Sequence, residues 1–108
     1  MTYRINYSAE AKQDLRDIYS YIAFELLEPD TAAGQTQRIM DAVLTLDNMP
    51  MKHTLYEEEP WHSLGLRYLP VDNYVIYYLP DKSTYTVDII RIMYGGRDAK
   101  SQLKPRKK

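Results

Sequence analysis

"LGLRYLPVDNYVIYYLPDKSTYTVDIIRIMY", Leu64–Tyr94, decides the fold of this chain. It divides into three runs rich in β-branched and aromatic residues, "LGLRYLPV", "NYVIYYL" and "YTVDIIRIMY". Such runs favour strands. "PVDN" and "PDKS" stand between them with turn chemistry, so the connections are short and the three strands are expected to be antiparallel. The last run carries an arginine, Arg91, among aliphatic residues and stops at "YGGRD", Tyr94–Asp98. An arginine there asks for a partner, either inside the protein or outside it.

Working outward, the N-terminal "TYRINY" alternates, with Tyr3, Ile5 and Tyr7 on one side, and reads as a short half-buried strand. Ser8 is placed to cap a helix that starts at Ala9. Ala11, Leu15, Ile18, Ile22 and Leu26 then recur at helical spacing. "LLEPD" breaks that helix, because proline disfavours helical geometry in the residue before it. A second helix is expected from a cap at Asp30, with a stripe through Ala33, Thr36 or Gln37, Met40, Val43 and Leu46, ending at "DNMP". Two helices joined so closely form an antiparallel hairpin. Gly34 inside the second helix suggests a close helix–helix approach. Residues 51–63, "MKHTLYEEEPWHS", have no period and read as a surface loop.

The expected architecture is α+β: an N-terminal strand and a helical hairpin packed on one face of a small, mainly antiparallel four-stranded sheet, the other face partly open. At 108 residues the chain is long enough for one domain, expected over residues 1–98, followed by a basic, flexible tail at 99–108. There is no cysteine, which excludes disulfides and thiolate chemistry. No apolar run is long enough for a membrane helix, and "MTYRINYSAE" does not read as a signal peptide, so a cytoplasmic location without membrane contact is expected. The net charge of −1 is unevenly spread: residues 1–60 balance at −6 and residues 61–108 at +5. A basic C-terminal half suits an anionic partner, unless the acidic helices simply offset it.

The order and spacing of "YSAEAKQDLRDIYSYIA", "RIMDAVLTLDNMP", "GLRYLPVDNYVIYYL" and "IIRIMYGGRD" resemble the RelE/ParE superfamily of type II toxin–antitoxin toxins, over roughly residues 3–98. The wording looks closer to the ParE-like, plasmid-stabilisation branch. The resemblance implies growth arrest, by poisoning of DNA gyrase or by ribosome-dependent mRNA cleavage, and restraint by a cognate antitoxin with an acidic, extended segment. It implies no cofactor. An inactive toxin fold that survives as an antitoxin-binding module is a third reading.

In this resemblance Arg67 and Arg91 stand where arginine is common, and both are expected to project onto the open sheet face, where a guanidinium can bind a phosphate or carboxylate. The internal alternative is an ion pair with Asp88 or Asp72. Strict alternation puts Val87, Ile89 and Met93 on the side of Arg91. Tyr94 is expected at a rim shaped by Gly95 and Gly96, with Arg97 beside it; packing is the plainer role for this tyrosine. Arg67, Arg91, Tyr94 and Arg97 are the catalytic candidates if the protein cuts RNA, and with Trp61 they are the candidates for target or antitoxin binding. Trp61 is equally suited to sealing the core edge. RNA cleavage without a metal also needs a general base. Tyrosine titrates too high to serve unaided, the only histidines are His53 and His62 in or beside the loop, and Glu57–Glu59 fit no catalytic position. The two histidines lack metal-ligand spacing, and no metal site is expected. These readings favour gyrase binding over catalysis.

Overall fold

The computed structural model describes residues 2–95 and 99–103. The elements run β1 (Arg4–Tyr7), α1 (Ala9–Ser20), α2 (Pro29–Leu44), β2 (Thr54–Leu55), α3 (Trp61–Leu64), β3 (Arg67–Val71), β4 (Tyr74–Asp81), β5 (Thr86–Tyr94) and α4 (Ala99–Gln102). The strands form one sheet in the order β1-β5-β4-β3-β2. β1 lies parallel to β5, and the other pairings are antiparallel. The expected α+β architecture is present, with five strands instead of four. The extra one, β2, is only two residues long and comes from the stretch read as loop.

One face of the sheet carries Ile76, Tyr78, Val87, Ile89 and Ile92, packed under Ala11 of α1 and Ile39 and Val43 of α2, with Leu46 just beyond. Each of these large aliphatic side chains stabilises the fold by about 1.5–3 kcal/mol through its burial. The second face is smaller and is covered at one end. Leu66, Tyr77, Ile90 and Met93 pack there with Trp61 of α3 and Leu103 beyond α4. Residues 99–103, expected to begin a flexible tail, form α4 and bury Leu103. The basic residues 104–108 lie outside the described residues.

Ser8 caps α1, its hydroxyl accepting from the Ala11 amide. The helix then widens into a π turn over Tyr21–Glu25, closed by the Leu26 amide on the Tyr21 carbonyl. The wide turn keeps Ile22 and Ala23 buried but rotates the next residues off the stripe, so Leu26 is exposed rather than buried. The cap of α2 stands two residues before the expected one: Glu28 occupies the cap position and Pro29 the first helical position. Proline suits that place because its missing N–H has no helical partner there. The buried stripe of α2 is Ala32, Gln35, Thr36, Ile39 and Val43, so Ala33 and Gln37 face solvent and Met40 is only half-buried. At Gly34 an added Cβ would meet only the Arg38 side chain of the same helix, at 3.5 Å. Close approach of α1 therefore does not explain this glycine.

Candidate functional site

Two arginines and one cleft hold the candidate chemistry. The geometry starts from an irregularity in β5. Tyr78 pairs with Ile89 and Tyr77 with Arg91, so Ile90 is an extra residue, a β-bulge. The bulge breaks the alternation expected along this strand. Val87 and Ile89 face the helices, whereas Met93 and Arg91, opposite Tyr77, take the second face.

β1 pairs with β5 only as far as Tyr7 and Ile89, which would leave the rest of that edge of β5 without hydrogen bonds. The start of α1 replaces the missing strand. The Ser8 amide donates to the Ile89 carbonyl at 2.9 Å, and its hydroxyl donates to the Ile90 carbonyl at 2.8 Å. Nearly two turns later the Asp14 carboxylate accepts from the Ile92 amide at 2.9 Å. The same carboxylate takes two bonds from Arg91, Nε at 2.8 Å and Nη2 at 2.9 Å. Nη1 of Arg91 donates to the Gln102 carbonyl at 3.2 Å, which brings α4 into the same network.

The expectation that Arg91 reaches outward over an open face is therefore corrected. Its side chain is 19% exposed and that of Asp14 10%, and the guanidinium is neutralised within the protein. Its hydrogen bonds to Asp14 hold the guanidinium still more firmly in its charged form, against the opposing effect of burial. The partner is neither Asp88 nor Asp72. Asp88 accepts from the Asn6 amide, and Asp72 pairs with Arg38 at 2.8 Å.

Arg67 stands opposite Tyr78 on the helix face, so it does not share a face with Arg91. Its Nη1 donates to the His53 carbonyl at 2.6 Å, while its buried Nε has no partner among the described residues. Tyr78 is fully buried beside it and donates to the Pro50 carbonyl at 2.7 Å. Burial raises the Tyr78 phenol far above its ordinary range, with the Arg67 charge opposing. The His53 ring meets Tyr78 edge-on. Its pKa is lowered from 6.5 by partial burial first, then by the charges of Lys52 and Arg67. Sequence reasoning passed over His53 because only the fold brings residues 52–53 next to Arg67. Its signal, a histidine directly after a lysine, is too common to stand out.

Trp61 is 4% exposed, and its indole N–H donates to the Leu103 carbonyl at 3.3 Å. It seals the second-face core, and its accessible surface is too small for it to anchor a partner. Tyr94 does lie at a rim, exposed and edge-on to Tyr74 with ring centroids 5.9 Å apart. Gly95 follows because its amide donates to the Asn73 carbonyl at 2.7 Å, where an added Cβ would come within 3.3 Å of that oxygen. Arg97 and Gly96 lie outside the described residues. Of the proposed set, the structure thus places Arg67 on one sheet face, Arg91 on the other and Tyr94 at the rim.

Tyr94 opens onto a cleft of about 670 Å³ between the helical hairpin and the end of the sheet. Asp14, Asp17 and Tyr21 line one wall, Asn73, Tyr74 and Tyr94 the other. Sequence reasoning missed this cleft, because its two walls are some 60 residues apart in the chain and meet only where β5 ends.

Residues 5–99 match the family described as the ParE toxin of the type II toxin–antitoxin system parDE. No curated protein matches in sequence. Among solved structures, the chromosomal ParDE system from P. aeruginosa superposes with a TM-score of 0.72 at 21% identity, covering 86% of this chain and 96% of that one. The toxin–antitoxin complex RelBE2 from Mycobacterium tuberculosis gives 0.63 at 18% identity, over 87% and 99% of the two chains. A doubly arginine-substituted E. coli toxin RelE in the free state gives 0.67 at 10% identity, over 94% and 93%. At such identities the structural likeness speaks for the fold. The family match covers most of the chain, and together with the sheet order and helical hairpin it leads to one assignment: the chain belongs to the ParE toxin family of type II toxin–antitoxin systems.

Proposed function

We propose that this toxin arrests growth by binding DNA gyrase, and that a cognate antitoxin holds it in check. The observation that carries the reading is the separation of the candidate catalytic groups. Arg67 and Arg91 occupy opposite sheet faces, and Arg91 is already neutralised by Asp14. Cleavage of RNA needs a base, an acid and cations around one phosphate. Binding asks only for a stable, shaped surface. The test is a supercoiling assay with purified gyrase. Inhibition, or trapped DNA cleavage, is the expected result. An unaffected gyrase, with mRNA cut in the presence of translating ribosomes, contradicts the proposal.

One observation favours that second reading. Beside Lys52, the buried Arg67 Nε has no partner among the described residues, and partial burial with the charges of Lys52 and Arg67 lowers the His53 pKa, which favours the neutral form a base needs. If the protein is a ribosome-dependent endonuclease, His53→Gln abolishes cleavage without loss of fold. Should overexpression of the wild type leave growth untouched, the fold serves only to bind its antitoxin.

A further inference from the structure

The cleft beside Tyr94 has a chemistry of its own. No lysine, arginine or histidine is among its described lining residues. Asp14 is committed to Arg91 and to the Ile92 amide. Asp17 is exposed and accepts from the Gln13 side chain at 2.8 Å, with no ion pair among the described residues. The surrounding sequence deepens the negative field: from Asp17 to Gln37 the chain has Asp17, Glu25, Glu28 and Asp30 and no cation.

Three tyrosines, Tyr21, Tyr74 and Tyr94, line the cleft together with Asp17. Their phenols are close enough to influence one another: burial raises the Tyr74 pKa, and Tyr94 and then Tyr21 add to the rise. Tyrosine faces carry negative potential and attract ammonium and guanidinium groups. Beyond the cleft mouth the hairpin tip is apolar and open to solvent, with Phe24 69% and Leu27 78% exposed beside Tyr21 and Leu26. Tyr21 and Phe24 stand off the buried pair Ile22 and Ala23 and face solvent. A contiguous apolar surface of this kind marks a site for a protein partner.

An occupant must complement both features, a negative aromatic pocket and an apolar shelf next to it. A phosphate or a nucleic-acid backbone has the wrong sign. We infer that the cleft receives a lysine or arginine side chain of the antitoxin, carried on an apolar segment that lies along the hairpin tip. This rests on the toxin–antitoxin reading and adds to it. The acidic part of such an antitoxin is excluded from this cleft.

The experiment is calorimetric titration of the purified chain with the purified protein encoded by the adjacent reading frame. Both test positions, Asp17 and Tyr21, are exposed, so Asp17→Asn and Tyr21→Ala are expected to fold normally. Each raises Kd by at least about fivefold, the effect of losing a contact worth roughly 1 kcal/mol. The Asp17→Asn complex is also less sensitive to salt than the wild-type complex. Growth arrest without antitoxin is unchanged in both variants. Wild-type binding with less than fivefold change in both variants overturns the inference and leaves the toxin–antitoxin pairing standing. Absence of any wild-type complex overturns the pairing and the inference together. Self-association of the wild type that disappears in Tyr21→Ala, while affinity for the neighbour is kept, assigns the shelf to a second copy of the chain and also overturns it.

Discussion

Arg91 and Arg67 are both strand arginines of the same sheet, yet their surroundings are opposite. Around Arg91 every visible need is met. Asp14 supplies two hydrogen bonds and the countercharge, Gln102 a third acceptor, and the bulge at Ile90 sets the side chain at the sheet edge where these converge. Arg67 has one short bond to the His53 carbonyl and a buried Nε with no acceptor among the described residues. Evolution of a stable fold suffices to explain the first arrangement. The second leaves hydrogen-bonding capacity unused, and unused capacity in a buried polar group costs stability. The contrast teaches that an arginine inside a strand does not by itself announce a binding site. What decides is whether the protein has already satisfied it.

The largest expected effect comes from breaking the satisfied side. Asp14→Ala leaves the Arg91 charge unpaired and the Ile92 amide without an acceptor. It is expected to cost about 3 kcal/mol, which for a domain of this size lowers Tm by on the order of 15 °C in calorimetry. A fall of only a few degrees removes the distinction between the two arginines. Next, Tyr78→Phe deletes the bond to the buried Pro50 carbonyl beside Arg67. Urea denaturation should show a loss of about 1–2 kcal/mol.

Arg67→Met sharpens the contrast from the other side. Its stability should differ from wild type by no more than about 1 kcal/mol, because one bond is lost while an unsatisfied donor is removed. A drop comparable to that of Asp14→Ala shows that Arg67 is structural too. The smallest effect is on titration. In the folded protein His53 should titrate below 6.5 by NMR, and in Arg67→Met its midpoint should rise towards that value, since one of the lowering charges is gone. The sign for stability follows: with a depressed folded pKa, the contribution of neutral His53 is present above 6.5 and is lost as pH falls through the folded midpoint. A midpoint at or above 6.5 contradicts the partial burial and the two neighbouring cations as the setting of His53.

Much of this was legible in the sequence wherever the signal is local. β3, β4 and β5 follow from their β-branched and aromatic runs, and Ser8 caps α1 as its position suggests. Where a local pattern is altered by packing, the reading slips. A π turn shifts the stripe after Ile22, and a proline at the start of α2 moves its cap. β2 is too short to show a period. The site was least legible of all. The partner of Arg91 lies 77 residues away on another element, and the bulge that directs Arg91 to it is invisible in an apolar run. Trp61 could be placed only once Leu103 was seen to close over it.

The central claim is that Arg91 completes the fold rather than awaiting a target. A double-mutant cycle of Asp14→Ala and Arg91→Ala, followed by urea denaturation, tests it directly. The account predicts strong coupling, about 2 kcal/mol or more, with the double variant more stable than Asp14→Ala alone. Additive effects, with coupling near zero, contradict it and return Arg91 to the candidates for target binding.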